Sequence, residues 1–247
     1  MRGYEKLTDN GGTEVESRAV ALPKEEPWVH EMQCGDEVFS VALSSDGATI
    51  VSGDNSGTVT LWDAVTGEKR RGDMQCGGRV FSVALSSNGA TIVSGGRDKK
   101  VTLWDAATGE KRHEMQCGKA VYSVALSSNG ATIVSGDDSG KVTLWDAASG
   151  EKRREMQCVG VVRSVALSSD GGIIVSGDND KKRRDHDTNK VTLWCDATAE
   201  KRRDMQCGGI VLSVALSSDG GAIVSGDRTN KVTLWDAATG EKRREMQ

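Results

Sequence analysis

The chain has 247 residues, 36% of them hydrophobic and 28% charged, with a formal net charge of -4. So small a charge exerts no strong pull toward nucleic acid or an anionic membrane, and no apolar run reaches the length of a membrane helix. The start, Met1-Arg2-Gly3-Tyr4-Glu5-Lys6, lacks the apolar stretch of a signal peptide, so an intracellular, cytoplasmic protein is expected.

Residues 1–27 read as a mobile leader with Gly11-Gly12, Pro23, Pro27 and many charges, although Ala19-Val20-Ala21-Leu22 has strand character. Next, Trp28-Val29-His30-Glu31-Met32-Gln33-Cys34 matches the later His113-Glu114-Met115-Gln116-Cys117. This predicts an extra outer strand over residues 28–37. Val38-Phe39-Ser40-Val41-Ala42-Leu43 is a short β-branched run suited to a buried strand. Asp46-Gly47 signals a hairpin, because glycine accepts the positive φ of a tight turn. Thr49-Ile50-Val51-Ser52 is a second strand, Asp54 to Gly57 a polar loop, and Val59-Thr60-Leu61-Trp62 a third strand. After a turn at Thr66-Gly67, a fourth strand is predicted from Lys69 to Gln75.

This text then repeats. Units span residues 38–79, 80–120, 121–161, 162–210 and 211–247. Their anchor tryptophans, Trp62, Trp104, Trp145, Trp194 and Trp235, are separated by 42, 41, 49 and 41 residues. A period of 40–45 residues with four short strands is the signature of a propeller blade, and a blade buries its faces only against other blades. The fourth strand would be a blade's outer edge, where charge discourages foreign pairing. Lys69-Arg70-Arg71, Lys152-Arg153-Arg154, Lys201-Arg202-Arg203 and Lys242-Arg243-Arg244 read first as such protected rims. Read alternatively, they form a basic belt for RNA or acidic lipid.

These residues resemble the WD-repeat (WD40) β-propeller family. The resemblance rests on the pairs Trp62-Asp63, Trp104-Asp105, Trp145-Asp146 and Trp235-Asp236, on the Leu-Ser-Ser-Asp/Asn-Gly hairpins, and on five in-phase copies over residues 38–247. It implies an all-β propeller of four-stranded antiparallel blades around a channel. It also implies a structural tetrad of Trp, Ser, His and Asp in each blade. Trp194 and the other four tryptophans are kept, as are Ser52, Ser94, Ser135, Ser176 and Ser225. The histidine's place is taken by Cys34, Cys76, Cys117, Cys158 and Cys207. The loop aspartate survives only as Asp98, its slot holding Ser56, Ser139, Thr188 and Thr229 elsewhere. Apolar packing and short hydroxyl contacts are expected to replace the full network.

The fourth copy departs furthest. Eight extra residues enter between Asp178 and Lys190, Trp194-Cys195-Asp196 replaces the Trp-Asp pair, and Ala199 replaces the turn glycine. The equivalent cysteines sit too far apart for disulfides and read as small buried thiols. Five blades leave three arrangements open: a closed ring of five, an open ring that a second copy or a partner covers, or one part of a longer array.

Differences among the copies gather at three places. One is the residue after the first valine: Phe39, Phe81, Tyr122, Arg163 and Leu212. A second is the trio before that valine, which includes Arg79 and Lys119. The third is the loop between strands two and three, with Arg97, Arg228 and the inserted Lys182 and Arg183. On an antiparallel blade all three fall at one end, so a partner-binding face for a peptide or protein segment is predicted there. Asp185, His186 and Asp187 in the insertion are a poor chelate, and no metal or cofactor is predicted. The three histidines, His30, His113 and His186, have no nucleophile beside them. A non-catalytic protein–protein scaffold is therefore expected, with protein or peptide partners, nucleic acid and membrane disfavoured, and a homodimer if the ring is open.

Overall fold

The computed structural model describes residues 31–179, 189–196 and 198–246. Among them are twenty strands in five four-stranded sheets, and no helix. The first blade holds β1 (Val38–Leu43), β2 (Thr49–Asp54), β3 (Thr58–Asp63) and β4 (Met74–Gln75). The second holds β5 (Val80–Leu85), β6 (Thr91–Gly96), β7 (Lys100–Asp105) and β8 (Lys111–Gln116). The third holds β9 (Val121–Leu126), β10 (Thr132–Asp137), β11 (Lys141–Asp146) and β12 (Lys152–Gln157). The fourth holds β13 (Val161–Leu167), β14 (Ile173–Asn179), β15 (Lys190–Cys195) and β16 (Lys201–Gln206). The fifth holds β17 (Val211–Leu216), β18 (Ala222–Asp227), β19 (Val232–Asp236) and β20 (Lys242–Met246).

Within each sheet the strands follow chain order, each antiparallel to the next, as short connections favour. The first hairpin shows why. Ser44 Oγ accepts the Thr49 amide at 2.9 Å and donates to Asp46 Oδ1, while Gly47 takes φ +70°. Ser86, Ser127, Ser168 and Ser217 repeat the first of these bonds in the other four hairpins.

The hydrophobic core lies between blades. Val51, Val59, Leu61 and Met74 of the first blade meet Val80, Val83, Ile92 and Trp104 of the second. The same positions form a core between the second and third blades, the third and fourth, and the fourth and fifth. Each side chain of this size buried this way contributes about 1.5–3 kcal/mol. A strand glycine admits the neighbour: a Cβ on Gly53 would lie 2.5 Å from Val80 Cγ1. The pairs Gly95 and Val121, Gly136 and Val162, and Gly177 and Val211 repeat this fit.

Among the described residues the five blades share four such cores, and no fifth core joins the last blade to the first. Val38, Val41 and Leu43 on the first blade are 42%, 65% and 60% exposed, whereas the equivalent Val80 and Val83 are 0% and 5% exposed. On the last blade Val232 and Met246 are exposed, and nothing lies within 4 Å of a Cβ built on Gly226.

Several sequence expectations need correction or fall outside the described residues. The fourth strand predicted over Lys69 to Gln75 is broken: only Met74–Gln75 forms a strand, with an isolated bridge between Trp62 and Lys69. The cause is one extra residue, Gly72, between the tryptophan and the methionine of this copy. Residues 31–37, part of the predicted extra outer strand, form no strand. Trp28-Val29-His30 and the leader over 1–27 lie outside the described residues. So do residues 180–188, with Lys182, Arg183 and most of the insertion. Ala199 does adopt positive φ, +56°, in the place of Gly67, Gly109, Gly150 and Gly240.

Candidate docking rim

The predicted structural residues do meet. Each tryptophan donates its indole N–H to the serine on the neighbouring strand: Trp62 to Ser52, Trp104 to Ser94, Trp145 to Ser135 and Trp194 to Ser176 at 2.9 Å, and Trp235 to Ser225 at 2.8 Å. The cysteine that stands for histidine reaches the same hydroxyl. Cys34, Cys76 and Cys158 lie 3.5, 3.4 and 3.4 Å from Ser52, Ser94 and Ser176, and Cys207 lies 3.9 Å from Ser225. Burial pushes the Cys76, Cys117 and Cys207 thiols up to about 11 and Cys158 to about 12. These thiols stay protonated and poorly nucleophilic at neutral pH.

The loop aspartate is not lost, which corrects the reading that only Asp98 survives. Asp98 accepts the Gly77 and Lys100 amides. Where Asp98 has no counterpart, an aspartate two positions earlier does similar work. Asp54 accepts the Thr58 amide and the Ser56 hydroxyl; Asp137 accepts the Lys141 amide and the Ser139 hydroxyl. Asp178 accepts the Gly160 and Lys190 amides. In the second copy Gly96 holds that earlier position, so the carboxylate has moved along the loop, not vanished.

The aspartates of the Trp-Asp pairs cap the turn between strands three and four. Asp63, Asp105, Asp146 and Asp236 accept the amides of Thr66, Thr108, Ser149 and Thr239. The same carboxylates bind Arg70, Arg112, Arg153 and Arg243. In the fourth blade Cys195 takes that place, 3.3 Å from Arg202. The outer-strand lysines are paired as well: Lys69 with Asp73, Lys111 with Glu114, Lys152 with Glu155, Lys201 with Asp204 and Lys242 with Glu245. Much of the basic belt is thus neutralised locally.

At the opposite end of the blades, the loop entering strand one is tied to the loop between strands two and three. Asn55 N donates to Glu37 O, Arg97 N to Arg79 O, Asp138 N to Ala120 O and Arg228 N to Ile210 O, at 2.8–3.0 Å. The two loop sets expected to converge on one rim are therefore joined directly. Asp36 is part of this rim, its carboxyl held below the usual range by the Glu37 amide and the Asn55 side chain.

The residue after the first valine stands out by geometry. Pairing of the inner strand skips it in every blade: the ladder runs from Val38 to Ser40, Val80 to Ser82, Val121 to Ser123, Val162 to Ser164 and Val211 to Ser213. Phe39, Phe81, Tyr122, Arg163 and Leu212 each occupy a β-bulge, a device that re-aims a side chain. The bulges bring the first four together. Phe39 meets Phe81 edge-on at 5.9 Å between ring centroids, Phe81 stacks on Tyr122 at 5.3 Å, and the Arg163 guanidinium lies 4.6 Å from the Tyr122 ring centre. Among the described residues Arg163 Nε has no hydrogen-bond acceptor. Leu212 is 47% exposed, and Arg79, Arg97, Lys119 and Arg228 are exposed around the arc.

Among the described residues no group of three or more His, Cys, Asp or Glu is placed to hold a metal ion, and no helix is long and apolar enough to cross a membrane. A cavity of about 320 Å³ opens at the end away from the rim, beside the broken β4, lined by Leu61, Arg70, Arg71, Gly89, Ala90, Ala106 and Ala107.

The family model for the WD domain, G-beta repeat, matches residues 28–63, 72–105, 109–146, 154–182 and 203–236. The chain belongs to the WD40 repeat family. The matched segments hold four of the five Trp–Ser pairs; of the remaining pair Ser176 is matched, whereas Trp194 falls in the unmatched stretch 183–202. A comparison with curated proteins finds no match. WD40 repeats generally serve as scaffolds for protein–protein contacts and are typically non-catalytic.

Proposed function

We propose that this WD40 protein docks a peptide or protein segment on the rim formed by the loops entering strand one and the loops between strands two and three. The carrying observation is the arc of Phe39, Phe81, Tyr122 and Arg163 on successive bulges. Aromatic and arginine side chains dominate the energetics of protein contacts. Here they stand on four rigid inner strands, so little order is lost on binding. Arg79, Arg97, Lys119, Arg163 and Arg228 stand on the rim among the carboxylates of Asp36 and Glu37 and supply charged contacts for acidic side chains of the docked segment. The pairing of the outer-strand lysines and arginines favours the rim over a belt for RNA or acidic lipid.

Selection of a displayed peptide library on the immobilised protein tests this. Peptides enriched on the wild type should be acidic with apolar anchors, and should be lost on the Phe81→Ala, Tyr122→Ala, Arg163→Ala triple variant. Equal retention of the enriched peptides by the folded triple variant contradicts the proposal.

A further inference from the structure

The two ends of the blade array carry the two halves of an interface that the molecule builds four times internally. The trailing half is a strand glycine with apolar neighbours on strands two to four. In the first blade these are Gly53, Val51, Val59, Leu61 and Met74; in the fifth they are Gly226, Val224, Val232, Leu234 and Met246. The leading half is an inner-strand valine pair with an isoleucine and the tryptophan: Val80, Val83, Ile92 and Trp104 in the second blade, Val38, Val41, Ile50 and Trp62 in the first, where Val38 and Val41 are exposed while Trp62 is already buried.

Steric fit is specific at each junction. A valine methyl sits where a Cβ on the glycine would be, at 2.5 Å for Gly53, 2.6 Å for Gly95, 2.3 Å for Gly136 and 2.5 Å for Gly177. The hollow at Gly226 is open, and the valine of the matching knob, Val38, is 42% exposed.

The polar bonds of the junction repeat as well. Ser40, Ser82, Ser123 and Ser164 each accept the amide of the next blade's inner strand, at 3.0–3.1 Å to Val83, Val124, Val165 and Val214. At the other end of the inner strands, Ser45, Ser87 and Ser169 donate to Ser87 O, Ser128 O and Ser218 O of the following blade. Ser213 and Ser218, the fifth blade's equivalents, are exposed.

We propose that a second copy of this chain docks head to tail, its Val38 entering the Gly226 hollow and its β1 face covering Val232 and Met246. The proposal commits to a second copy because the complementary surface is present on this chain and already meets its counterpart four times. The contact is heterologous, with different surfaces on the two partners, so it leaves one free half at each end and adds copies in series. Met32 and Gln33 precede Val38 by the spacing with which Met74 and Gln75 precede Val80. They belong to no strand.

Sedimentation velocity on the full chain and two variants tests this independently of the rim. Val41→Glu charges the leading face at a side chain that is 65% exposed. Gly226→Val fills the trailing hollow, where no atom lies within 4 Å of the added Cβ. Both variants should fold, with circular dichroism and melting like those of the wild type. The wild type should show concentration-dependent growth in mass. Each variant alone should be monomeric, and an equimolar mixture should form a dimer that grows no further, since one intact pair of halves remains. A wild type that stays monomeric at every concentration overturns the proposal. So does self-association of the folded Gly226→Val variant alone, which would mean that like faces meet, and so does a mixture of folded variants that fails to pair.

Discussion

Phe81 stacks on Tyr122 across two blades, with ring centroids 5.3 Å apart and planes inclined by 23°. Neither residue is paired in its own inner-strand ladder; both are bulge residues. Their side chains therefore report the junction between blades more than the sheet either belongs to. Replacing Tyr122 by Ala should lower stability by about 1–3 kcal/mol, the ring pair added to the lost burial of a half-buried side chain, while releasing the Arg163 guanidinium from its ring. Urea denaturation measures the first effect. A loss several times larger would mean that the arc is part of the core and not a surface for a partner.

The indole of Trp145 is 4% exposed and has its N–H satisfied by Ser135. Ser135→Ala removes that acceptor and leaves a buried donor unpaired, which costs about 1–3 kcal/mol. The weak thiol of Cys117 offers no adequate replacement acceptor. The midpoint of urea unfolding should fall accordingly, and an unchanged midpoint would contradict the assigned role of the Trp–Ser pair.

Ala199 carries φ +56° where the other four copies place glycine. The left-handed conformation costs an alanine roughly 1–2 kcal/mol, partly offset by the greater freedom that glycine brings to the unfolded chain. Ala199→Gly should therefore raise stability by about 1 kcal/mol. A melting temperature that falls would show that the turn is not strained.

Acid should unfold this protein through its turn and edge carboxylates. The Asp105, Asp146 and Asp236 carboxyls are held down to about 2, first by the backbone amides of Thr108, Ser149 and Thr239 and then by Arg112, Arg153 and Arg243. Glu114 and Glu245 are held to about 2 by Lys100 and Lys111, and by Lys231 and Lys242. The ordinary values are 3.8 and 4.5. Each folded value is depressed, so the stabilisation is complete above the ordinary value and is lost as pH falls through the folded one. Asp178 runs the other way. Burial raises its carboxyl, so its contribution is present below its ordinary value and is lost as pH rises through the folded one. Urea stability should fall between pH about 4.5 and 2, with a shallower slope in the Asp105→Asn, Asp146→Asn, Asp236→Asn triple variant. An identical slope in wild type and variant would contradict this assignment.

The blade was legible because its cause is local and periodic. The alternation of Val59, Thr60, Leu61 and Trp62 sets the faces of a strand, and Asp46-Gly47 sets a hairpin; neither needs knowledge of the neighbouring blade. The convergence of the variable loops on one rim followed from antiparallel topology alone. The bulge at Phe39 was not legible, because a skipped residue is a property of pairing between strands and leaves no mark on the period of one strand. The break in the fourth strand of the first blade left a trace in the 42-residue step and in Gly72, yet composition alone continued the strand through it. The shift of the carboxylate between Asp98 and Asp54 or Asp137 was missed because a fixed alignment column assumes a fixed backbone, whereas a loop can place the same oxygen from two positions.

Hydrogen–deuterium exchange of the protein with and without a saturating library-selected peptide tests the docking rim most directly. Slowed exchange is predicted at Gly35–Phe39, Gly77–Phe81 and Gly118–Tyr122 and in the loops at Asn55, Arg97 and Asp138, with Lys111–Gln116 and Lys152–Gln157 unchanged. Protection confined to those outer strands, or to Val38–Leu43 and Val232–Asp236 at the array's two ends, would contradict the account.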